Sequence, residues 1–71
     1  MATVGRRVAE LRRQRGLSQE ALAGLLDRDP RWLARIEAGG QNVTIRTLVR
    51  LANALDVHAA DLLRAGRREG A

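Results

Sequence analysis

The sequence predicts an all-α fold: a compact bundle of five short helices. Three observations carry that reading. Apolar residues recur three and four positions apart, most clearly at Ile45, Leu48, Leu51, Ala52 and Leu55. Helix-starting residues stand ahead of such runs at Ser18, Asp29-Pro30 and Thr44, and glycines stand behind them at Gly16, Gly39 and Gly66. At 71 residues there is room for one small domain, near the lower limit for a self-sufficient core. That domain is expected over residues 1–66, with residues 67–71 a flexible basic tail.

The first helix is expected from Val4 to about Gln14, after a frayed Met1 to Thr3. Val4, Val8 and Leu11 face the core, and Arg6, Arg7 and Arg13 lie outside. Arg12, Arg13 and Arg15 favour its negative end, and Gly16 stops it. Ser18 caps a second helix whose apolar face is Ala21, Leu22, Leu25 and Leu26. Asp29 caps a third, with Pro30 at the first position, where its missing N–H costs nothing. Leu33 and Ile36 turn inward there. Arg31, Ala34, Arg35 and Ala38 follow i, i+3, i+4, i+7 and share the opposite face. Ala38 to Asn42 form a turn-rich loop. Thr44 caps the fourth helix, on which Ile45 faces inward and Arg50 is solvated. The last helix runs from about His58 to Ala65 with Leu62 and Leu63 inward; His58 reads as a cap or surface residue.

Composition narrows the function. Net charge is +5, and all 13 basic residues are arginine. Arginine offers a planar fork of donors suited to phosphate and guanine; a GC-rich genome also favours it. Either way the excess charge favours an anionic partner. There is no Cys, hence no disulfide or thiolate metal site, which suits a reducing cytoplasm. No apolar run reaches the length of a membrane span, and the N-terminus lacks a signal-peptide core. With one His, no Tyr, scattered carboxylates and no Gly-rich phosphate loop, the sequence offers no catalytic constellation, metal site or cofactor site. An enzyme is not expected.

Two arginines at i, i+4 repel mildly on an isolated helix. Arg31 and Arg35 make sense with something anionic opposite, and small Ala34 between them allows close approach. Helix, tight turn and a second helix with a basic outer face is the arrangement that places side chains in the DNA major groove. Gly16-Leu17-Ser18-Gln19-Glu20, Leu22-Ala23, Leu26, Leu33, Arg35-Ile36-Glu37, Gly39, Thr47-Leu48, Leu51-Ala52, Ala54-Leu55 and Asp61-Leu62-Leu63 resemble, in one register, the Cro/C1-type (XRE-like) helix-turn-helix family of bacterial and phage regulators. The likeness covers about residues 5–63.

The resemblance implies a lambda-repressor-like domain whose Pro30–Ala38 helix reads double-stranded DNA. It implies that Arg12 pairs with Glu37, tying the first helix to the end of the reading helix. For Gln19 it implies a phosphate or reading-helix contact. It lays Gln41, Asn42, Thr44 and Arg46 along the phosphates, with capping the alternative for Asn42 and Thr44. The last helix is commonly the two-fold contact, so Val57, Leu62 and Leu63 divide between core and dimer seam. Three departures stand out. Asp27 and Asp56 occupy positions where the family usually has Gly. Arg28 replaces an apolar residue, freeing a cation to reach phosphate or to pair with Asp27 or Asp29. Pro30 cannot read a base by hydrogen bonding, which shifts reading to Arg31 and Arg35, or to thymine-methyl contact by Pro30 or Ala34. For Trp32, the only aromatic residue, two placements are open: a wedge in the core, or an edge along the DNA backbone.

The expected function is a dimeric transcriptional regulator on an imperfect palindrome, bacterial or phage-encoded, cytoplasmic and associated with the nucleoid. The rival is a module of the same fold, such as an antitoxin, whose main partner is a protein. The Arg-Ala stripe separates them, because the core of a protein interface is depleted of charge.

Overall fold

The computed structural model describes residues 2–40 and 42–63. Its five helices are α1 (Ala2–Gln14), α2 (Gln19–Leu25), α3 (Pro30–Glu37), α4 (Ile45–Leu55) and α5 (Ala59–Leu63). The caps are those the sequence indicates. Ser18, Asp29 and Thr44 each hold an extended backbone and accept, through a side-chain oxygen, from the N–H of Ala21, Arg31 and Thr47. In α5 the Asp61 carboxylate reaches back to the His58 N–H at 3.1 Å, so the cap at this start comes from inside the helix.

The first four helices end alike. A left-handed residue follows each: Gly16, Asp27, Gly39 and Asp56, with φ between 56° and 83°. Its own N–H and that of the residue after it fold back onto the last turn. After α3, Gly39 donates to the Ile36 carbonyl and Gly40 to that of Arg35, both at 3.0 Å. These bonds satisfy carbonyls that have no partner inside the helix.

Val4, Val8, Leu11, Leu22, Ala23, Leu26, Trp32, Leu33, Ile36, Leu48, Leu51, Ala52, Leu55 and Leu62 form one core. Helix α3 lies against α1 and α2, while α5 closes the other side against α1 and α4.

The apolar pattern needs correction at four positions. Ala21 and Leu25 are exposed on α2, and Ala23 is buried instead. Two turns of helix allow more than one apolar stripe, and Leu22-Ala23-Leu26 is the one facing α3 and α4. Ile45 is 79% exposed and Leu63 58% exposed, so neither faces inward. Ile45 shares a face with Leu48 but lies one turn beyond the end of the core.

Three arginines also act as cross-links between helices, Arg15 and Arg50 while remaining exposed and Arg7 from a half-buried position. Arg7 donates to the Asp61 carbonyl at 2.9 Å, Arg15 to that of Asp56 at 3.0 Å, and Arg50 to that of Leu26 at 3.1 Å. Each target lies in the last turn of a helix or just past its end, where carbonyls lack intrahelical donors. A guanidinium on a neighbouring helix supplies them. Ala65, Gly66 and the 67–71 tail lie outside the described residues.

Candidate nucleic-acid interface

Helix α3 is sharply two-sided. Trp32, Leu33 and Ile36 are buried on one face; Arg31, Arg35 and Ala38 are exposed on the other, with Ala34 and Pro30 half-buried. The expected outer stripe therefore faces solvent. At its N-terminal end Arg31 is not a loose cation. Its Nε donates to Asp29 Oδ1 at 3.1 Å and its Nη2 to Oδ2 at 3.0 Å, while its backbone N–H donates to Oδ1 at 2.8 Å. The Arg31 side chain first, and its backbone N–H second, hold the Asp29 carboxyl down to about 2. The same pair raises the Arg31 guanidinium above its ordinary value.

The C-terminal end of α3 is held from outside. Arg12 grips Glu37 with two bonds, Nε to Oε2 at 2.7 Å and Nη2 to Oε1 at 3.1 Å, and spends Nη1 on the Leu17 carbonyl at 2.9 Å. The pair is nearly buried, with side chains 11% and 7% exposed. The hydrogen bond to Glu37 raises the Arg12 guanidinium, against the opposing effect of burial. Gln19 Nε2 adds a bond to Glu37 Oε1 at 2.9 Å. Of the two contacts implied for Gln19, its amide makes the one to α3. One carboxylate thus joins α1, the start of α2 and the end of α3.

Gly5 is a determinant the sequence reading passed over. A Cβ built there would lie 2.0 Å from the Ile36 carbonyl oxygen and 3.0 Å from that of Glu37. Helix α1 meets α3 backbone to backbone at this point. The available signal was a glycine inside an otherwise good helical run, which costs about 1 kcal/mol against Ala and so calls for a packing reason.

The remaining positions divide as follows. Trp32 is 6% exposed and takes the wedge placement. Arg28 lays its guanidinium 4.3 Å from the centre of that ring, so it neither pairs with Asp27 or Asp29 nor projects freely. Thr44 caps α4; its hydroxyl also lies 3.1 Å from that of Thr47. Asn42 and Arg46 are exposed near that helix start, and Gln41 lies outside the described residues. Leu62 is wholly buried and Val57 half-buried against the core, which leaves Leu63 of the expected seam residues at the surface. Leu63 borders a shallow apolar groove of about 200 Å³ with Val4, Val43, Ile45 and Leu48. Among the described residues no His, Cys, Asp and Glu gather as a metal site, and no helix is long and apolar enough to cross a membrane.

Helix, tight turn, capped second helix and buried inner face define a helix-turn-helix unit of the kind found in transcription regulators. Comparison with known proteins carries this to the family: the helix-turn-helix domain family matches residues 3–66, and the chain belongs to it. The chain is 38% identical over 60 residues to the uncharacterized HTH-type transcriptional regulator y4dJ of Sinorhizobium fredii, covering 84% of this chain and 78% of that one. It is 41% identical over 56 residues to the HTH-type transcriptional regulator RamB of Mycobacterium tuberculosis, covering 79% of this chain but only 12% of RamB. Among solved structures, the restriction-modification controller protein C.AhdI from Aeromonas hydrophila matches with a TM-score of 0.81 at 39% identity, over 86% of this chain and 92% of that one. The biofilm master regulator SinR, solved in complex with DNA, matches with a TM-score of 0.79 at 31% identity, over 84% and 97%.

Proposed function

We propose that this protein is a sequence-specific, double-stranded-DNA-binding transcription regulator that acts as a homodimer and has no catalytic role. The observation that carries the reading is the outer Arg31–Ala34–Arg35–Ala38 stripe, exposed at all but the half-buried Ala34, on a helix whose other face is buried. A major groove about 12 Å wide admits such a helix. Ala34 and Ala38 let it approach closely, and Arg35 and Arg31 bring donors that suit guanine edges or phosphates. Arg46, Asn42 and Thr44, at the start of α4, supply the backbone contacts that fix register without reading sequence.

The dimer reading rests on Leu63 and Ile45, two large apolar side chains exposed beside one groove. Their clustering gives a small domain an apolar face to cover, and a second copy would cover it symmetrically. Two copies of α3 would then enter successive major grooves about 34–36 Å apart on an imperfect palindrome.

Selection of bound duplexes from a random pool at near-physiological salt tests the proposal. A two-fold symmetric motif is the expected result. A single unrepeated half-site would overturn the dimer, retention without a motif would overturn sequence reading, and no retention of folded protein would favour a protein partner. On the selected site, Arg35→Ala should weaken binding by about 1–3 kcal/mol. Unchanged affinity by anisotropy titration would remove Arg35 from the reading face.

A further inference from the structure

We propose that Asp29, besides capping α3, is a positioning residue that presents Arg31 to a guanine, so that one guanine in each half-site is read through the Asp29–Arg31 pair. This rests on the DNA-reading function proposed above and names the base that one end of the stripe selects.

The geometry of the pair divides the guanidinium in two. Nε and one side of Nη2 are engaged by the two carboxylate oxygens at 3.1 and 3.0 Å. The remaining N–H of Nη2 and those of Nη1 face away from the carboxylate. Together they form the end-on fork whose two donors match the O6 and N7 acceptors of guanine. Both side chains are open to solvent, Arg31 at 85% and Asp29 at 52%, so the fork is displayed rather than packed away. Asp29 is itself fixed, because Oδ1 also accepts the Arg31 backbone N–H at 2.8 Å. The cap therefore locks the carboxylate, and the carboxylate locks the arginine. An arginine ordered before binding loses less rotamer freedom on docking than a free one.

A phosphate offers two acceptors to the same fork, and the Asp29 charge decides against it. The carboxyl is held near 2 and is fully ionised at neutral pH. A carboxylate beside Arg31 repels a phosphate and offsets the attraction of the arginine for it. A guanine edge carries no net charge, and the outward lone pairs of Asp29 could accept from the N4 amino group of a neighbouring cytosine. The pair thus acts as an almost neutral reader.

Three proteins separate this role from capping: wild type, Asp29→Asn and Arg31→Ala. Asparagine caps as well as aspartate but carries no charge. Each is taken through duplex selection and then titrated against the selected site and against single-base variants, with melting temperature recorded in parallel. In Arg31→Ala, preference for one guanine per half-site should fall about 10-fold or more. In Asp29→Asn the same position, and no other, should lose about 3- to 10-fold of its preference, while melting temperature stays close to wild type and affinity for non-specific DNA rises. Equal preference in wild type and Asp29→Asn overturns the positioning role. A position unchanged in Arg31→Ala, with weaker binding to every sequence alike, makes Arg31 a phosphate contact and overturns the guanine reading. If wild type itself selects no motif, the DNA-reading function fails first, a result distinct from either.

Discussion

The two ends of α3 are built on opposite principles. At the C-terminal end, Glu37 is nearly buried and bound by side chains from α1 and from the start of α2, while Gly5 of α1 lets the two backbones touch. At the N-terminal end, Asp29 and Arg31 pair with each other, in solvent, two residues apart. One end takes its position from the whole bundle; the other takes its conformation from its own sequence. A helix that reads DNA, as proposed for α3, needs both properties. Its placement has to be rigid for register, and its exposed chemistry has to be changeable without unfolding the domain. Substitutions at the two ends should therefore differ in kind as well as in size.

The largest effect is expected at Gly5. Gly5→Ala places a methyl 2.0 Å from the Ile36 carbonyl oxygen, and no flexible side chain stands in between to give way. Helix propensity favours Ala by about 1 kcal/mol, yet overpacking should win by about 3 kcal/mol or more. Denaturant unfolding checks this, and an equally stable variant would mean that α1 and α3 can separate there at little cost. Next comes the buried pair. Arg12→Ala strands the Glu37 carboxylate, leaves the Leu17 carbonyl without its side-chain donor, and should cost about 3 kcal/mol. The double variant Arg12→Met with Glu37→Leu should recover much of that loss, since no charge is then left buried alone. If the double variant is as unstable as the single, the pair contributes attraction rather than merely satisfying itself.

The sequence made the helix starts and stops legible because those signals are local. Ser18, Asp29-Pro30, Thr44, Gly16 and Gly39 each act on backbone within a turn of themselves. The outer stripe of α3 was legible for the same reason. The roles of Arg7, Arg15 and Arg50 were not, because each depends on which distant carbonyl the fold brings near. An isolated arginine on a polar face looks alike whether it meets water or the end of another helix. Ile45 and Leu63 failed differently. Periodicity says which face a residue shares, but not where along the helix the core stops. Arg12–Glu37 spans 25 positions and came from family resemblance rather than from spacing.

Moving from the locked end toward the exposed one, the expected effects shrink and can change sign. Asp27 closes α2 at φ 56°, a conformation in which any side chain is strained. Its side chain is exposed, and the family usually has glycine there. Asp27→Gly should therefore stabilise by about 0.5–1 kcal/mol, despite the greater freedom of glycine in the unfolded chain. It should leave base preference intact, because the Asp29–Arg31 pair lies beyond the turn. A loss of stability in denaturant titration would show that Asp27 holds a contact stronger than the relief of strain.

The smallest effect belongs to the Asp29 cap and is best read against pH. Its folded-state carboxyl lies near 2, below the ordinary unfolded value of about 3.9. A depressed carboxylate stabilises wherever the unfolded chain is also ionised, and that contribution fades as pH falls through the folded value. The advantage of wild type over Asp29→Asn should thus be constant above about pH 5 and shrink between about pH 4 and pH 2. Other carboxylates protonate in the same window, so absolute stability falls in both proteins. The difference between the two melting curves isolates Asp29. A difference that is flat from pH 6 to pH 2 would mean that Arg31 does not hold the charge in solution, and the N-terminal end of α3 would then be capped but not preset.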